Sequence, residues 1–342
     1  IIPYILKLTH NLHPKIVLDG FSGTTRVSQA FSKSGYKVIS NDSAVWSKTF
    51  ATCYLLNKKG REYYQKIIDH LNKLPDKYGW FSENYGGDPK EKGPKRPWQI
   101  HNTMKLDAIR EEIDKTAKDE VEKSVLLTSL ILAIDKVDST IGHYSSYLKD
   151  WALRSYKTML LEVPNFTISE TKHEVYQEDI FNLIPKVKAD LTYYDPPYGS
   201  CNDKMPPSRV RYQAYYHIWT TIIKNDRPKL FGTTNRRADS SDRISYSPFE
   251  DFRKDKDVRF IALDAIEKLI KKTQSKYILF SYSSGGRVPF KDLIDVFSNN
   301  SKIIEVQKID YKKNVMSLMR WTNEWTRKEE ETHREHLFLL EK

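Results

Sequence analysis

The sequence contains little cysteine and no long apolar run. Two cysteines, Cys53 and Cys201, occur among 342 residues, and their spacing matches no metal or redox motif. This excludes a disulfide scaffold, argues against zinc and suits a reducing cytoplasm. No stretch reaches the roughly 18 consecutive apolar residues that a membrane-spanning helix needs, and no signal peptide opens the chain. We therefore expect a soluble protein without a membrane partner.

The chain also lacks the Gly-x-Gly-x-x-Gly fingerprint of dinucleotide-binding folds, which disfavours NAD or FAD as a cofactor. Basic residues, by contrast, are in excess: 56 Lys and Arg stand against 45 Asp and Glu, for a net charge of +11. Such a charge favours a polyanionic partner, because each phosphate that a basic side chain neutralises releases counterions. A merely solvated basic surface has the same composition.

The beginning of the chain has the pattern of a βαβ unit. We predict a buried strand over Lys15–Asp19, a helix over Arg26–Ser34 closed by Gly35, and a second strand over Tyr36–Ser40. Asp42 follows the second strand, where an acidic side chain can bind ribose hydroxyls.

The turn between the first strand and the helix contains Gly20 and Gly23 but has no glycine at position 25. Gly23 permits close approach of the backbone to a ligand, whereas Thr25 stands where a second glycine would make that approach easier. We therefore predict a nucleoside-type cofactor rather than a pyrophosphate one.

The motif with the most specific chemistry is Asp195-Pro196-Pro197-Tyr198, which directly follows an apolar strand-like run. An exocyclic aromatic amine such as adenine N6 is a weak nucleophile, because its lone pair is delocalised into the ring. Asp195 can accept one N–H and the Pro196 carbonyl the other, while the two prolines fix both acceptors. Tyr198 can stack on the base. Alone, four residues can also be a proline-bearing turn, so the motif must appear in its structural context.

Four segments carry a family resemblance when they are taken in order: Asp19-x-Phe21-Ser22-Gly23, Asn41-Asp42, Gln177-Glu178-Asp179-Ile180-Phe181, and Asp195-Pro196-Pro197-Tyr198. This order resembles the S-adenosylmethionine-dependent DNA adenine-N6 methyltransferases of the D12 group, which includes Dam-like and restriction-associated enzymes. The resemblance spans most of the chain.

The resemblance implies a site for S-adenosyl-L-methionine. The first loop would embrace the methionine part, Asp42 the ribose and Asp179 the adenine amine, with Ile180 or Phe181 against the adenine ring. The implied cofactor-binding set is Asp19, Phe21, Ser22, Gly23, Asp42, Asp179, Ile180 and Asp195. Two departures from the family pattern stand out: Thr25 replaces a glycine, and an aromatic-x-Gly-x-Lys element is missing and is expected upstream of residue 1.

The predicted fold is a Rossmann-like α/β methyltransferase sheet, mainly parallel, with helices on both faces, an antiparallel edge hairpin and a mostly helical insertion. We assign residues 1–56 and 166–342 to the catalytic domain and 57–165 to an inserted target-recognition region. Within the insertion we expect an exposed helix over Thr103–Lys118 and a buried one over Val121–Val137. Closer to the carboxyl end we expect a crossover helix over Ala262–Lys272.

Three further strands are expected after that helix, at Tyr277–Ser281, Ile303–Tyr311 and His336–Leu340. The last two form the predicted hairpin, whose tip at Lys312-Lys313 can touch phosphate or can be a solvated turn.

Double-stranded DNA is the predicted partner. We propose His143 and Tyr147 for base reading, and five arginines for contacts to phosphates near a flipped base: Arg209, Arg211, Arg236, Arg237 and Arg243. Two alternatives stay open: the insert aromatics can form a small satellite core, and Tyr212–Ile223 can be a helix with its aromatics facing the sheet.

The predicted activity is methyl transfer to N6 of a flipped-out adenine in a specific DNA sequence. We expect it in a bacterial cytoplasm, associated with the nucleoid, within a restriction-modification system with a cognate endonuclease or as an orphan enzyme. RNA adenine methylation and an inactive DNA-binding module are the alternatives. Cytosine-N4 enzymes more often have Ser in place of Asp195. Cytosine-C5 chemistry uses a cysteine that typically follows proline, but Cys53 follows Thr52 and Cys201 follows Ser200.

Overall fold

The computed structural model describes residues 1–91, 96–199, 211–241, 247–311 and 333–342. The chain divides into two compact units. The first, which we call the sheet unit, comprises Ile1–Ser43, Tyr176–Arg211 and Tyr246–Lys342, and the second, the helical unit, comprises Ala44–Val175 and Tyr212–Ser245. The predicted insertion of 57–165 thus lies inside a larger unit, which also includes 212–245, a segment that the sequence analysis had assigned to the catalytic domain.

In the described part of the chain, seven strands form the central sheet. They are, in chain order, β1 (Ile16–Asp19), β2 (Lys37–Asn41), β3 (Glu174–Tyr176), β4 (Leu191–Tyr194), β5 (Tyr277–Ser283), β6 (Lys302–Tyr311) and β7 (His333–Glu341). Their order across the sheet is β6-β7-β5-β4-β1-β2-β3. Strands β2, β1, β4 and β5 pair in parallel, whereas β7 is antiparallel to both β5 and β6.

This topology confirms the predicted Rossmann-like fold with an antiparallel edge hairpin. The strand order reverses between β1 and β4, and in open α/β sheets ligands bind outside the carboxyl ends of the strands at such a switch point. The helices of the sheet unit are Ile2–His10, Arg26–Lys33, Ile180–Leu183, Ile261–Lys272 and Phe290–Asn300, with single 3₁₀ turns at Ile184–Lys186 and Pro248–Glu250.

The helical unit has its own aromatic-rich core. Its helices are Val45–Ala51, continued by a π-helical turn at Thr52–Leu56, then Arg61–Asn72, Trp80–Tyr85, Ile100–Thr116, Glu120–Asp135, Tyr212–Tyr215 and His217–Lys224, with 3₁₀ turns at Leu153–Tyr156 and Ala238–Ser240. Two short ribbons complete it: Gly86–Gly87 with Trp98–Gln99, and Leu230–Phe231 with Arg236–Arg237. None of the helices in the described part of the chain is long and apolar enough to cross a membrane.

One helix prediction for this unit needs correction. The helix over Ile100–Thr116 is not exposed, because Leu106, Ile109 and Ile113 pack in the core. The helix that begins at His217 buries Trp219, whose indole packs on Trp46 within the helical unit. Several buried positions of the helix Ile100–Thr116 are polar residues, so its sequence pattern does not indicate a buried apolar face.

Arg237 was predicted to contact DNA phosphate, and its surroundings contradict that role. Its side chain is 3% exposed, and its guanidinium donates two hydrogen bonds to Asp226 and two to Asp239. Burial alone would lower the pKa of Arg237. The hydrogen bonds and charges of Asp239 and Asp226 raise it by more, so the net effect is an increase in the pKa. A guanidinium that is already paired twice inside the protein is poorly placed to bind an external anion.

We predict that Arg237→Ala destabilises the helical unit by about 2–3 kcal/mol. A broken buried pair typically costs more, but both carboxylate partners are partly exposed, which reduces the effect. The measurement is the free energy of unfolding in urea. Arg259→Ala is the matched control, because the more exposed Arg259 also pairs with two carboxylates, Asp264 and Glu267, and should cost less than about 1 kcal/mol. An Arg237 variant of full stability whose DNA affinity depends less on salt would restore the phosphate role.

Candidate active site

The sheet brings four predicted acidic residues to one edge. Asp19 ends β1, Asp42 follows β2, Asp179 comes shortly after β3, and Asp195 directly follows β4. Because β1 and β4 are parallel neighbours in which Asp19 pairs with Tyr193, the Asp19 carboxyl group lies close enough to Asp195 to add to the increase that burial causes in the pKa of Asp195. The acidic residues of the motifs, which come from distant parts of the chain, therefore lie along one edge of the sheet.

A buried amide side chain, that of Asn41, joins the loops at this edge. Its Nδ2 donates to the carbonyl oxygens of Gly20 (3.3 Å) and Glu178 (3.2 Å), and its Oδ1 accepts from the Glu178 amide (3.1 Å). Its own carbonyl accepts from the Ser22 amide at 2.9 Å. Asn41 therefore fixes the loop after β1 against the segment that carries Asp179.

Asp42 adds a second link to the same loop. Its Oδ2 accepts from the Gly23 amide at 2.9 Å, which places the predicted ribose acid beside the loop predicted to hold the methionine part. Gly23 has φ +48° and Thr25 has φ +65°, both in the left-handed region that favours glycine. The threonine that departs from the family pattern thus keeps a glycine-like backbone.

Gly20 shows why this loop lies so close to the sheet. A Cβ atom added at Gly20 would lie 2.7 Å from the Tyr194 ring and 3.1 Å from Cδ1 of Ile180. Any larger residue would push the loop away, so glycine is required here by packing rather than by a special φ.

Aromatic rings form a wall next to Asp179. Phe181 stacks on Phe249 with an interplanar angle of 13°, and Phe21 meets Phe249 edge-on at 5.2 Å. The exposed Asp179 caps the helix that begins at Ile180 by accepting from the Phe181 amide at 2.8 Å. Ile180 itself is buried. Flat apolar surfaces beside a carboxylate are what a bound adenine ring requires. Sequence reasoning missed Phe249, which no motif marks.

Asp19 is fully buried, and its Oδ1 has no hydrogen-bond partner among the described residues. Its Oδ2 accepts from the Ser28 hydroxyl at 2.6 Å. Burial raises the pKa of Asp19 to about 7, the Ser28 hydrogen bond offsets part of this, and the Asp42 charge adds to it. An unpaired buried carboxylate oxygen is costly unless a ligand with positive charge meets it.

Asp195 and Tyr198 belong to a polar cluster. The Tyr198 hydroxyl donates to Asp195 Oδ1 and contacts Glu335 Oε1 (2.7 Å) and the Ser281 hydroxyl (3.2 Å). Burial of its carboxyl raises the pKa of Asp195 to about 7, hydrogen bonds offset part of this, and Glu335 adds to it. The residue still has an exposed surface, so a substrate can reach it.

The two prolines and the tyrosine of the motif keep distinct positions. Pro196 is buried and Pro197 is partly exposed. The Tyr198 ring packs on Tyr282, with centroids 4.8 Å apart, and its hydroxyl makes the contacts above. Stacking of Tyr198 on a base stays a prediction.

The remaining DNA candidates fall into three groups. Arg209 and Arg243 lie outside the described residues. Arg211 is buried in the sheet unit and donates to the Glu250 carbonyl at 3.0 Å, which argues against a phosphate role. Arg236 is partly buried over the Phe231 ring.

In the helical unit, the two residues proposed for base reading are also engaged. His143 stacks on Tyr215 at 4.7 Å, and the Tyr147 hydroxyl donates to the Thr234 carbonyl. His143 keeps part of its surface exposed, and its role in base reading stays a prediction.

Sequence comparisons identify relatives of this chain. It is 28% identical over 317 residues to the modification methylase StsI of Streptococcus sanguinis, covering 87% of this chain and 45% of that protein. It is 27% identical over 321 residues to the modification methylase LlaI of Lactococcus lactis subsp. lactis, covering 89% and 48%. It is also 28% identical over 303 residues to the type II methyltransferase M.NlaIII of Neisseria lactamica, covering 87% and 84%.

The chain thus spans about half the length of the first two relatives and most of the third. A family model matches residues 1–278, which include all four motif segments. The strand-end acids and the Asp-Pro-Pro-Tyr motif, found together on a Rossmann-like sheet, agree with that match. This chain belongs to the D12 class N6 adenine-specific DNA methyltransferases.

Proposed function

We propose that this chain transfers a methyl group from S-adenosyl-L-methionine to N6 of an adenine that is flipped out of a specific DNA sequence. One observation carries the proposal. Asp195, held by Tyr198 and still exposed, lies at the same sheet edge as the buried Asp19 carboxyl group, whose Oδ1 has no hydrogen-bond partner among the described residues. An acceptor for an amine and a site for a cation are thus neighbours, which is what methylation of an exocyclic amine by a sulfonium donor requires.

The residues of the chain act on the amine by orientation. Asp195 accepts one N6–H and the Pro196 carbonyl the other, which directs the nitrogen lone pair toward the methyl group. When bound, S-adenosylmethionine supplies a methyl group made electrophilic by its sulfonium. As the N–C bond forms, the bond between the methyl group and sulfur breaks and leaves its electron pair on sulfur, while positive charge develops on N6 and the two acceptors stabilise it. The nitrogen then loses one proton to the Asp195 carboxylate, which passes it to solvent, and no covalent enzyme intermediate is needed. Flipping the adenine costs about a few kcal/mol, which contacts in the pocket offset.

The cofactor-side residues fit a nucleoside-type donor. Asp19 meets its positive charge, with Phe21, Ser22 and Gly23 along the methionine part. Asp42 accepts from the ribose hydroxyls. Asp179 would accept from the adenine amine, and the wall formed by the stacked Phe181 and Phe249 rings would lie against the base.

DNA recognition is proposed for the helical unit, with His143 and Tyr147 as its base-reading candidates. Arg209, Arg236 and Arg243 remain candidates for phosphate contact. Because relatives are named modification methylases, we propose a restriction-modification role with a cognate endonuclease, in a bacterial cytoplasm.

Asp195→Ala should lower the single-turnover rate of methyl transfer by about a hundredfold or more, the usual effect of removing one transition-state acceptor. Cofactor affinity should stay within about threefold of wild type, because the rest of the cofactor site is untouched. The assay follows labelled methyl transfer to duplex DNA, with single-stranded RNA as the competing substrate. A variant that methylates DNA at the wild-type rate would refute the mechanism, and transfer to RNA alone would reassign the substrate.

Asp42→Ala and Asp179→Ala should each weaken cofactor binding by roughly 1–3 kcal/mol, because each removes a charged hydrogen-bond acceptor. Titration calorimetry measures the affinity. Asp190→Ala is the control. Asp190 also lies at a sheet edge, but it precedes β4 and accepts from the amides of Lys15 and Ile16 at the opposite end of the strands. Equal affinities in all three variants would place the cofactor elsewhere.

Cofactor affinity should rise with pH. A folded-state pKa of about 7 means that Asp19 holds a proton at pH 6 and is ionised at pH 8, and a cationic ligand binds the ionised form. The dissociation constant should therefore be about tenfold higher at pH 6 than at pH 8. Asp19→Asn should weaken binding at pH 8 and remove most of this dependence. A wild-type affinity that is flat across this range would exclude Asp19 from the cofactor site.

A further inference from the structure

Glu335 is a carboxylate at the proposed active site that none of the sequence motifs contains. It lies near the beginning of β7 and pairs in register with Ser283 of β5. Because β7 runs antiparallel to β5, its first residues lie at the edge where β4 and β5 end. The reversed direction of one strand thus brings Glu335 to Asp195 and Tyr198.

The contacts of Glu335 are directed inward. The residue is 8% exposed, and its Oε1 accepts from the Tyr198 hydroxyl and from the Ser281 hydroxyl, each at 2.7 Å. Ser281 is 1% exposed. Burial raises the pKa of Glu335, and the hydrogen bonds from Ser281 and Tyr198 offset part of the increase. Burying a carboxyl group costs free energy unless hydrogen-bond donors satisfy it. The two hydroxyl donors of Tyr198 and Ser281 therefore fix the position of the Glu335 carboxyl group.

The Tyr198 hydroxyl stands between two carboxyl groups but has a single proton. It can donate that proton to Asp195 or to Glu335, and the remaining short contact is favourable only if the other carboxyl group carries a proton of its own. Asp195 and Glu335 are therefore coupled through one phenol. The position of the phenol depends on both of them.

We propose that Glu335 is a positioning residue for methyl transfer, which holds the Tyr198 hydroxyl and thereby orients the Asp195 carboxyl group toward the substrate amine. This inference rests on the proposed function of Asp195. Glu335 itself need not touch the substrate or the cofactor. It restricts the Tyr198 side chain so that the acceptor is oriented before the amine arrives.

The test compares single-turnover methyl transfer in Glu335→Ala, Tyr198→Phe and the double variant. Loss of orientation should slow each single variant by about tenfold to a hundredfold. Because both substitutions break the same link, the double variant should be little slower than the slower single variant. Cofactor affinity should remain within about threefold. Glu335→Gln, which keeps an acceptor for both hydroxyls, should recover most of the rate.

Glu341→Ala is the matched control, since Glu341 lies on the same strand but forms an ion pair with Lys276. It should keep the wild-type rate. If Glu335→Ala unfolds, as thermal melting would reveal, the Gln variant and Tyr198→Phe still test the link, because both keep an oxygen acceptor at position 335.

Three results would overturn the inference: wild-type rates in Glu335→Ala, rate losses that multiply in the double variant, or a Gln variant as slow as the Ala variant. They are distinct from failure of the proposed function. In that case the wild-type protein itself would not methylate DNA, or Asp195→Ala would be fully active.

Discussion

The proposed site depends on the hydrogen bonds of one buried side chain, that of Asn41. One amide group bonds to the loop after β1 and to the segment that leads to Asp179, so two parts of the proposed cofactor site take their positions from a third. A side-chain amide suits this role because it offers donors and an acceptor without charge. A carboxylate in its place would have no hydrogen to donate to the two carbonyl oxygens. Asn41 therefore sets the spacing within which Asp42, next in the chain, anchors Gly23.

Much of the sheet could be predicted from the sequence because its strands are short apolar runs with clear ends. The strands β1, β2 and β5 lie where they were predicted, with boundaries shifted by at most two residues. The carboxyl ends of parallel strands meet at one edge, so locating the strands also located the acids that follow them. The motif positions and the sheet topology therefore agree, because both follow from the parallel direction of these strands.

The residues that could not be predicted depend on contacts between distant segments. Nothing local marks Phe249 as a partner of Phe181, or Glu335 as a partner of Tyr198, because each lies in an ordinary short segment. Arg237 was misassigned for a related reason: a basic residue in a basic stretch resembles a surface residue until Asp226 and Asp239 are seen around it. Charge patterns predict partners only when exposure is known.

The helical unit shows the same limit in its packing. Buried Arg110 donates to the carbonyl oxygens of Ile222 and Ile223, at the end of the helix that begins at His217, and this ties two segments more than a hundred residues apart. Arg110 lies in the segment Thr103–Lys118, for which the sequence predicts an exposed helix. Here it instead satisfies backbone groups at a helix terminus, which need partners when they are buried.

The sheet order also determines how the site can be assembled during synthesis. Strand β7 lies between β5 and β6, so β6, although made earlier, has no place in the sheet until β7 has emerged from the ribosome. The contact between Tyr198 and Glu335 joins residues 137 positions apart, and such long-range contacts form late because a large loop must close first. A nascent chain therefore contains the whole Asp-Pro-Pro-Tyr motif well before that motif has its carboxylate support. The polar cluster around Asp195 is completed only when the sheet is.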